Sequence, residues 1–321
     1  MKIFRQADRP LSDAAIGDWL RDLRGHPHCT ESGFAVTAVF RARLGAGDTF
    51  YFAGVNVENP DHRVSTHGEE GALAAMVVAL GKAAEIVEGW VMGAPKDLKK
   101  GTADPLGDVA VSCCGKCRQQ IANFAAEDVV IHSLALNGAA SATTMGACLP
   151  DQFTFRQFRP EAAERQATDA PPPIAAAVEQ RLIRAGAALS PADIFDWLRT
   201  LESANAATGT SDAVVLRLAD GAHVAGVKIE EAAFLDVNAI QAAAAIANAE
   251  FGHIKVTEAW SHAHGYPDQS DDTVIPPHLS ALQTLKEFAA GPDIPLHLFD
   301  RRGTMRDLTL TEAARLPLTT A

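Results

Sequence analysis

The stretch Val111–Ile121, which reads VSCCGKCRQQI, organises the interpretation of this chain. The apolar residues 109–111 predict the end of a strand, and the spacing of apolar residues from Arg118 onward predicts a helix. The cysteines therefore fall at a predicted strand-to-helix turn, where the free N–H groups of a helix N-terminus favour thiolates. Cys114 and Cys117 have the spacing that binds one tetrahedral metal ion from a single turn.

A second motif upstream supplies the remaining candidate groups. His67 precedes a long apolar run that ends at Leu80 and predicts a helix. If His67 is the third ligand, the fourth position is left for water, which is typical of catalytic zinc, whereas structural zinc usually has four protein ligands. Glu69 follows two residues later and is placed to move protons there. His-x-Glu followed by Cys-x-x-Cys is the general pattern of zinc deaminases.

Length, charge and cysteine content narrow the class of protein. A chain of 321 residues predicts two domains of ordinary size. The net charge of −12 disfavours a nucleic-acid partner, because such binding needs lysine and arginine to neutralise phosphates. Five cysteines, three of them in one turn, predict ligands in a reducing compartment rather than disulfides. We find no signal-peptide pattern and no membrane-span pattern, so we expect a cytoplasmic protein without a membrane partner.

The hydrophobic pattern predicts an α/β unit in the first half of the chain. A helix is expected over 11–23, capped by Ser12 or Asp13. Strands are expected over 34–40 and 49–57, joined as a hairpin around 45–48, and again over 85–92 and 129–132. Residues 93–108 form a polar loop, and 149–158 closes the unit.

A proline-rich linker then precedes a second copy of the same unit. Residues 189–201 repeat the pattern of 11–23, 225–230 repeat 53–58, and 258–260 repeat 88–90. Matches in one order across a whole half indicate an internal duplication. We therefore predict a catalytic metal-binding domain over 1–159, a linker over 160–174 and a second, degenerate domain over 175–321.

The second copy lacks the candidate metal ligands. The alignment pairs His67 with Ala239, Glu69 with Gln241, Cys114 with His278 and Cys117 with Ala281. The second domain therefore cannot assemble the same site, and we expect it to serve as an interface partner.

With these motifs in place, the chain resembles the cytidine deaminases, in their two-domain bacterial form. The resemblance rests on Gly-x-Asn-x-Glu-Asn at 54–59, His-x-Glu-x-x-Ala-Leu at 67–73 and Cys-Gly-x-Cys-Arg-Gln at 114–119, and it covers nearly the whole chain. It implies two tandem α/β/α domains, each with a mixed five-stranded sheet, the second degenerate, and a homodimeric assembly.

The resemblance also implies an activity: hydrolytic deamination of cytidine or deoxycytidine to uridine or deoxyuridine plus ammonia, in pyrimidine salvage. In this scheme Zn²⁺ is bound by His67, Cys114 and Cys117, zinc-activated hydroxide attacks C4, and Glu69 carries the protons. The resemblance further implies that Asn56 and Glu58 bind the ribose hydroxyls and that Phe34 packs against the face of the base. It also implies that the Gly68 N–H and the Ser112 carbonyl contact the pyrimidine edge.

Two alternative functions stay open. Cys113 stands where the family has proline, and residues 60–63 differ from the usual pocket loop, so the substrate could instead be a modified cytidine or another aminopyrimidine nucleoside. A non-enzymatic, zinc-stabilised binding protein is a further alternative, suggested by the loss of ligands in the second copy. Several candidates also have plain structural interpretations: Phe34 as core, Asn56 and Glu58 as strand-end polar residues, and Glu69 and Glu70 as first-turn carboxylates that the helix dipole favours.

Overall fold

The structure, a computed structural model, describes residues 1–45, 47, 49–158, 175–186, 188–202, 209–233, 235–266 and 268–316. Below, residues 1–158 are called the first half and residues 175–316 the second half. The predicted linker at 160–174 lies outside the described residues, and the domain boundaries placed around it stay predictions.

Each half contains six strands and five helices among the described residues. The strands are β1 (Phe4–Gln6), β2 (Phe34–Leu44), β3 (Thr49–Val55), β4 (Ala84–Pro95), β5 (Ala125–Leu134), β6 (Ala140–Thr144), β7 (Ile183–Arg184), β8 (Ser211–Leu218), β9 (His223–Val227), β10 (Val256–His264), β11 (Pro295–Phe299) and β12 (Met305–Thr309). The helices are α1 (Asp13–Leu23), α2 (Gly68–Leu80), α3 (Gly115–Ile121), α4 (Met145–Cys148), α5 (Phe155–Phe158), α6 (Ala175–Leu182), α7 (Pro191–Glu202), α8 (Ala239–Phe251), α9 (Leu279–Phe288) and α10 (Leu310–Ala313). Short 3₁₀ helices cover His62–Val64 and Pro105–Asp108.

The described strands form two mixed sheets with the same topology. The first has the order β1-β3-β2-β4-β5-β6, and the second has the matching order β7-β9-β8-β10-β11-β12. In each sheet one pair is parallel, β4 with β5 and β10 with β11. The predicted α/β class with tandem sheets is confirmed, but each sheet has six strands where five were expected. The edge strands β1 and β7 hold only three and two residues, too few to show an alternating pattern in the sequence.

Helices cover both faces of the first sheet. Thr37 of β2 donates its hydroxyl to the Leu20 carbonyl of α1, whereas the preceding residue, Val36, faces α2. Helix α2 lies so close to β3 that a Cβ on Gly54 would come within 2.0 Å of the helix backbone, so only glycine fits there. Every residue of α2 is buried, because α8 of the second half packs against it as well. This double coverage accounts for an apolar run without a polar face.

The duplication extends to individual side-chain contacts. Trp19 of α1 donates its indole N–H to the Lys2 carbonyl at 2.8 Å. Trp197 of α7 donates to the Arg181 carbonyl at 3.2 Å in the same way. The two halves are therefore copies in packing as well as in strand order.

The predicted pairing of the halves was wrong by one residue at α2. His67 is the N-cap of α2 and Asn238 is the N-cap of α8, so His67 corresponds to Asn238 and Glu69 to Ile240. The shift arises because eight residues separate the bridge partners Val57 and Thr66, whereas seven separate Ile229 and Val237. The pairing of Cys114 with His278 stands, since these residues cap α3 and α9. The second half still lacks the ligands.

The segment before the cysteines also differs from its prediction. Residues 109–114 form no strand, and the Val109 side chain is exposed after the 3₁₀ helix Pro105–Asp108. Helix α3 begins at Gly115, three residues before the predicted start. Among the described residues, no helix is long and apolar enough to cross a membrane.

Candidate metal centre

Two helix N-termini meet at the candidate centre. His67 precedes α2 and Cys114 precedes α3, both with extended backbone, and Cys117 lies in the first turn of α3. Helix α2 begins with Gly68, where a Cβ would approach Val36 to 3.0 Å, so the absence of a side chain lets the helix start pack against β2. The predicted ligands are brought together although about 50 residues of sequence separate them.

The distances among the three ligand atoms fit one tetrahedral metal ion. His67 Nδ1 lies 3.3 Å from Cys114 Sγ and 3.3 Å from Cys117 Sγ, and the two sulfurs are 3.6 Å apart. Tetrahedral zinc with ordinary bond lengths places a sulfur about 3.6 Å from a ligand nitrogen and about 3.8 Å from a second sulfur. The donor set, one imidazole and two thiols, is also one that zinc prefers.

The same centre leaves a coordination position open. Among the residues that the structure describes, His67, Cys114 and Cys117 are the only group of three or more Cys, His, Asp or Glu residues whose ligand atoms lie within 4.8 Å of one another. Three protein ligands with an open fourth position are the arrangement of catalytic rather than structural zinc.

The protonation of the two cysteines is strongly polarised. The hydrogen bond between the Cys114 and Cys117 sulfurs, together with the His67 imidazole, lowers the pKa of Cys114 to about 3. The same hydrogen bond, reinforced by burial, raises the pKa of Cys117 well above its usual value. The hydrogen bond with Cys114 raises the pKa of His67. The cluster thus favours the thiolate form of Cys114, and the thiolate is the form that binds metal.

Glu69 is buried beside the ligands, in the first turn of α2. Its side chain is 4% exposed, and burial raises the pKa of the carboxyl. The thiol of Cys113, also buried, interacts with this carboxyl. A buried carboxyl with a raised pKa beside a candidate metal centre is suited to accept and return a proton.

The sequence analysis missed the structural role of Glu70. Its carboxylate accepts from the His67 backbone N–H at 2.7 Å, from Gln120 Nε2 at 2.7 Å and from Lys116 Nζ at 2.9 Å. One buried side chain therefore ties the start of α2 to α3, the two helices that carry the ligands. The contact to His67 is the local capping-box pattern, with glutamate three residues after the cap, and that part could be predicted from sequence.

Arg118 fixes the segment before α3. Its guanidinium donates to the Cys113 carbonyl at 2.8 Å, to the Cys148 carbonyl at 3.0 Å and to Ser112 Oγ at 3.3 Å. Ser112, one of the predicted substrate residues, is exposed and lies two residues before the candidate ligand Cys114.

The remaining predicted substrate residues gather at the start of β2. Asn56 donates to the Phe34 carbonyl at 2.9 Å and accepts from the Val36 N–H at 2.7 Å. The Phe34 ring packs so closely on Gly93 that a Cβ there would come within 2.8 Å of it. Glu58 accepts hydrogen bonds from the hydroxyl and N–H groups of the 31–32 turn. In the structure, Asn56 and Glu58 thus hold the chain that carries Phe34; whether they also bind a ligand stays a prediction.

Comparison with known proteins adds a distant structural likeness. No protein-family model and no curated protein matches this chain. Cytidine deaminases from Burkholderia pseudomallei, Mycobacterium leprae and Mycobacterium tuberculosis are similar at 22%, 19% and 18% identity, with TM-scores of 0.36, 0.33 and 0.32. Each match spans 44% of this chain and 98–100% of the other. At these values, the function has to be argued from the site.

Proposed function

We propose that this protein is a zinc-dependent hydrolase that deaminates cytidine or deoxycytidine to uridine or deoxyuridine and ammonia. The observation that carries the proposal is the convergence of His67, Cys114 and Cys117, at 3.3–3.6 Å from one another, beside the buried carboxyl of Glu69. This is a three-ligand centre with a proton carrier at its side, as hydrolysis at the C–N bond of a cyclic amidine requires.

Zinc, when bound, supplies Lewis acidity at an open position, which lowers the pKa of water toward neutrality. In the proposal, Glu69 accepts the proton that water loses and delivers it to ring nitrogen N3. The C4–O bond forms as C4 becomes tetrahedral. Glu69 then passes the second proton of the former water to the exocyclic nitrogen, the C4–N4 bond breaks and ammonia leaves.

The substrate contacts follow the resemblance found in the sequence. We propose that Phe34 packs on the base, that the Gly68 N–H and the Ser112 carbonyl contact its edge, and that Asn56 and Glu58 bind the ribose hydroxyls. Their placement around the start of β2, next to the start of α2, supports one continuous binding surface.

We also propose a free nucleoside as the only substrate class, a homodimer as the assembly and the cytoplasm as the location. The net charge of −12 supports a small substrate over a polyanion. Light scattering of the purified chain tests the dimer, and a monomeric mass at working concentration would contradict it.

The test is the initial rate on cytidine and deoxycytidine for zinc-loaded wild type, Glu69→Gln and the matched control Glu85→Gln, whose side chain is exposed. We expect the wild type and the control to turn over alike. Glu69→Gln should keep its zinc, and its rate should fall about 100- to 10,000-fold, which is the usual contribution of general acid–base catalysis. A zinc-loaded wild type without turnover on either nucleoside would overturn the proposed substrate.

A modified cytidine or another aminopyrimidine nucleoside is the second candidate substrate. The observation that favours it is the buried Cys113 thiol, which interacts with the Glu69 carboxyl where the resembled family has proline. A panel of N4-substituted and sugar-modified cytidines separates the two candidates, since the highest kcat/KM on plain cytidine would exclude the second. If no compound of the panel reacts although zinc is bound, a non-enzymatic zinc protein becomes the better interpretation.

A further inference from the structure

A buried carboxylate of the second half reaches helix α3 of the first half. Glu231 is 3% exposed, and its Oε1 accepts from Gln119 Nε2 in α3 at 2.7 Å and from Asn123 Nδ2, just past the end of α3, at 3.3 Å. Its Oε2 accepts from the backbone N–H groups of Ala233 at 2.7 Å and Leu235 at 3.3 Å. One side chain therefore joins α3 to the backbone of its own loop.

The matching position in the first half holds a shorter side chain. Each loop opens with a residue in an isolated β-bridge, Val57 or Ile229. Asn59 and Glu231 lie two residues later and are therefore counterparts. Asn59 Oδ1 accepts from the Asp61 N–H at 3.1 Å, and Glu231 makes the same contact within its own loop. Asn59 Nδ2 is buried, and among the residues that the structure describes it has no hydrogen-bond partner. The copies thus share the contact within the loop, and the glutamate of the second copy adds the bridge to α3.

Two further contacts from the second half reach the same region. The Leu235 carbonyl accepts from Gln120 Nε2 at 2.7 Å. Gln241 Nε2 donates to the Val64 carbonyl at 2.6 Å, three residues before His67. Helix α3 spans seven residues, too few to be stable as a helix without tertiary contacts. The position of the two candidate cysteine ligands therefore depends on contacts such as these.

We infer that Glu231 is a positioning residue for the candidate metal centre. It holds α3 in the conformation in which Cys114 and Cys117 lie against His67. The bridge and a bound metal stabilise the same conformation of α3, so they are coupled, and such a coupling is reciprocal. Loss of the bridge weakens metal binding, and a bound metal in turn steadies the loop of Glu231. The inference rests on the metal binding in the proposed function, but not on the reaction.

The test compares wild type with Glu231→Asn, which copies the first half. Asparagine can keep the contact within the loop, as Asn59 does, but it is one methylene shorter and loses the bridge. Glu231→Gln keeps the length and is the second variant. Glu250→Asn is the matched control, because Glu250 of the second half also bridges the halves, but through the N–H groups of Lys2 and Ile3, just before β1.

Three measurements are made on each full chain. Hydrogen exchange followed by mass spectrometry reports the stability of α3 and of residues 229–238, with and without zinc. Competition with a chelator gives the zinc affinity. The visible absorption of the Co²⁺-loaded chain reports the geometry of the ligands, which a general loss of stability would leave unchanged.

We expect zinc affinity to fall about 10- to 100-fold in Glu231→Asn, the usual effect of losing a residue that supports metal ligands. Exchange in zinc-free α3 should be faster, and the Co²⁺ spectrum should change. Glu231→Gln should lie between wild type and Glu231→Asn, and Glu250→Asn should match wild type. Bound zinc should slow exchange over 229–238 in wild type but not in Glu231→Asn.

Two results would overturn the inference. One is equal zinc affinity and equal exchange in α3 for wild type and for folded Glu231→Asn or Glu231→Gln. The other is an equal loss in Glu231→Asn and Glu250→Asn, since the effect would then be one of general stability. A wild type that binds no zinc would instead overturn the proposed function, and exchange in the zinc-free chain would still decide whether Glu231 holds α3.

Discussion

Replacing Glu70 should disturb the metal centre without removing any ligand. Its side chain is 0% exposed and accepts from the His67 N–H, Lys116 and Gln120. In Glu70→Ala the His67 N–H loses this acceptor, Gln120 keeps only the Leu235 carbonyl, and the partly exposed Lys116 loses its ion-pair partner. The helix start that carries His67 and the helix that carries the cysteines then lose the side chain that joins them.

The size of the effect follows from burial. Removing one partner of a fully buried ion pair costs about 3–5 kcal/mol in the free energy of unfolding, because the other charge is left uncompensated. Lys116 is 26% exposed, so water can solvate its charge, and we expect Glu70→Ala to cost about 2–4 kcal/mol. Glu70→Gln keeps one acceptor oxygen and should cost less, about 1–3 kcal/mol. Glu70 positions the candidate ligands without being a ligand itself, so zinc affinity should fall about 10- to 100-fold in Glu70→Ala.

Urea unfolding gives the free energy, and competition with a chelator gives the zinc affinity. Glu85→Ala is the matched control, because Glu85 pairs with Arg43 on the surface, with side chains 56% and 46% exposed. Such a pair is worth about 0–1 kcal/mol. If Glu70→Ala and Glu85→Ala lose equal stability and equal zinc affinity, the argument that Glu70 joins α2 to α3 is wrong.

Two further predictions concern packing and pH. Gly54→Ala and Gly226→Ala should each destabilise the chain by about 3 kcal/mol or more, because overpacking is costly and each new Cβ would lie 2.0–2.2 Å from helix backbone. Gly25→Ala is the control, since a Cβ there would have no atom within 4 Å, and it should change the urea midpoint little. Equal effects of all three substitutions would refute the packing argument. Burial opposes ionisation of Glu58, but hydrogen bonds from Ser32 and the adjacent backbone outweigh it and lower its pKa below the usual 4.5. Because the folded pKa is the lower one, the stabilisation is present above about pH 4.5 and is lost as the pH falls through the folded pKa. The stability advantage of wild type over Glu58→Gln should therefore shrink between about pH 6 and pH 3, and a constant difference would contradict it.

The sequence was sufficient to predict those parts of the fold that depend on a local or repeated pattern of residues. Helix α1 begins after Ser12, whose hydroxyl accepts from the Ala15 N–H as a cap should. The two copies were visible because the apolar positions recur in one order. The cluster of His67, Cys114 and Cys117, which could bind a metal, was predicted because these residue types at this spacing are typical of metal binding.

Other features depend on contacts between distant residues and left no local pattern. The one-residue shift between His67 and Asn238 arises in a loop, where nothing in the composition marks a deletion. The buried Arg24 donates to backbone carbonyls of 94–98 and thereby holds the end of β4, although a lone arginine after a helix predicts an exposed side chain. The contacts of Glu70 with Lys116 and Gln120 likewise join segments about 50 residues apart.

The second half has a physical reason to persist although it lacks the candidate metal ligands, because its side chains and backbone hold α3. The buried carboxylate of Glu231 accepts from Gln119 Nε2 at 2.7 Å and from Asn123 Nδ2 at 3.3 Å. Gln120 Nε2 donates to the Leu235 carbonyl at 2.7 Å as well as to Glu70. Helix α3 carries Cys117 and begins directly after Cys114, and since it is only two turns long it has little stability of its own. Glu231 and Leu235 supply contacts that fix it, so the geometry of the candidate metal centre in one half depends on the fold of the other.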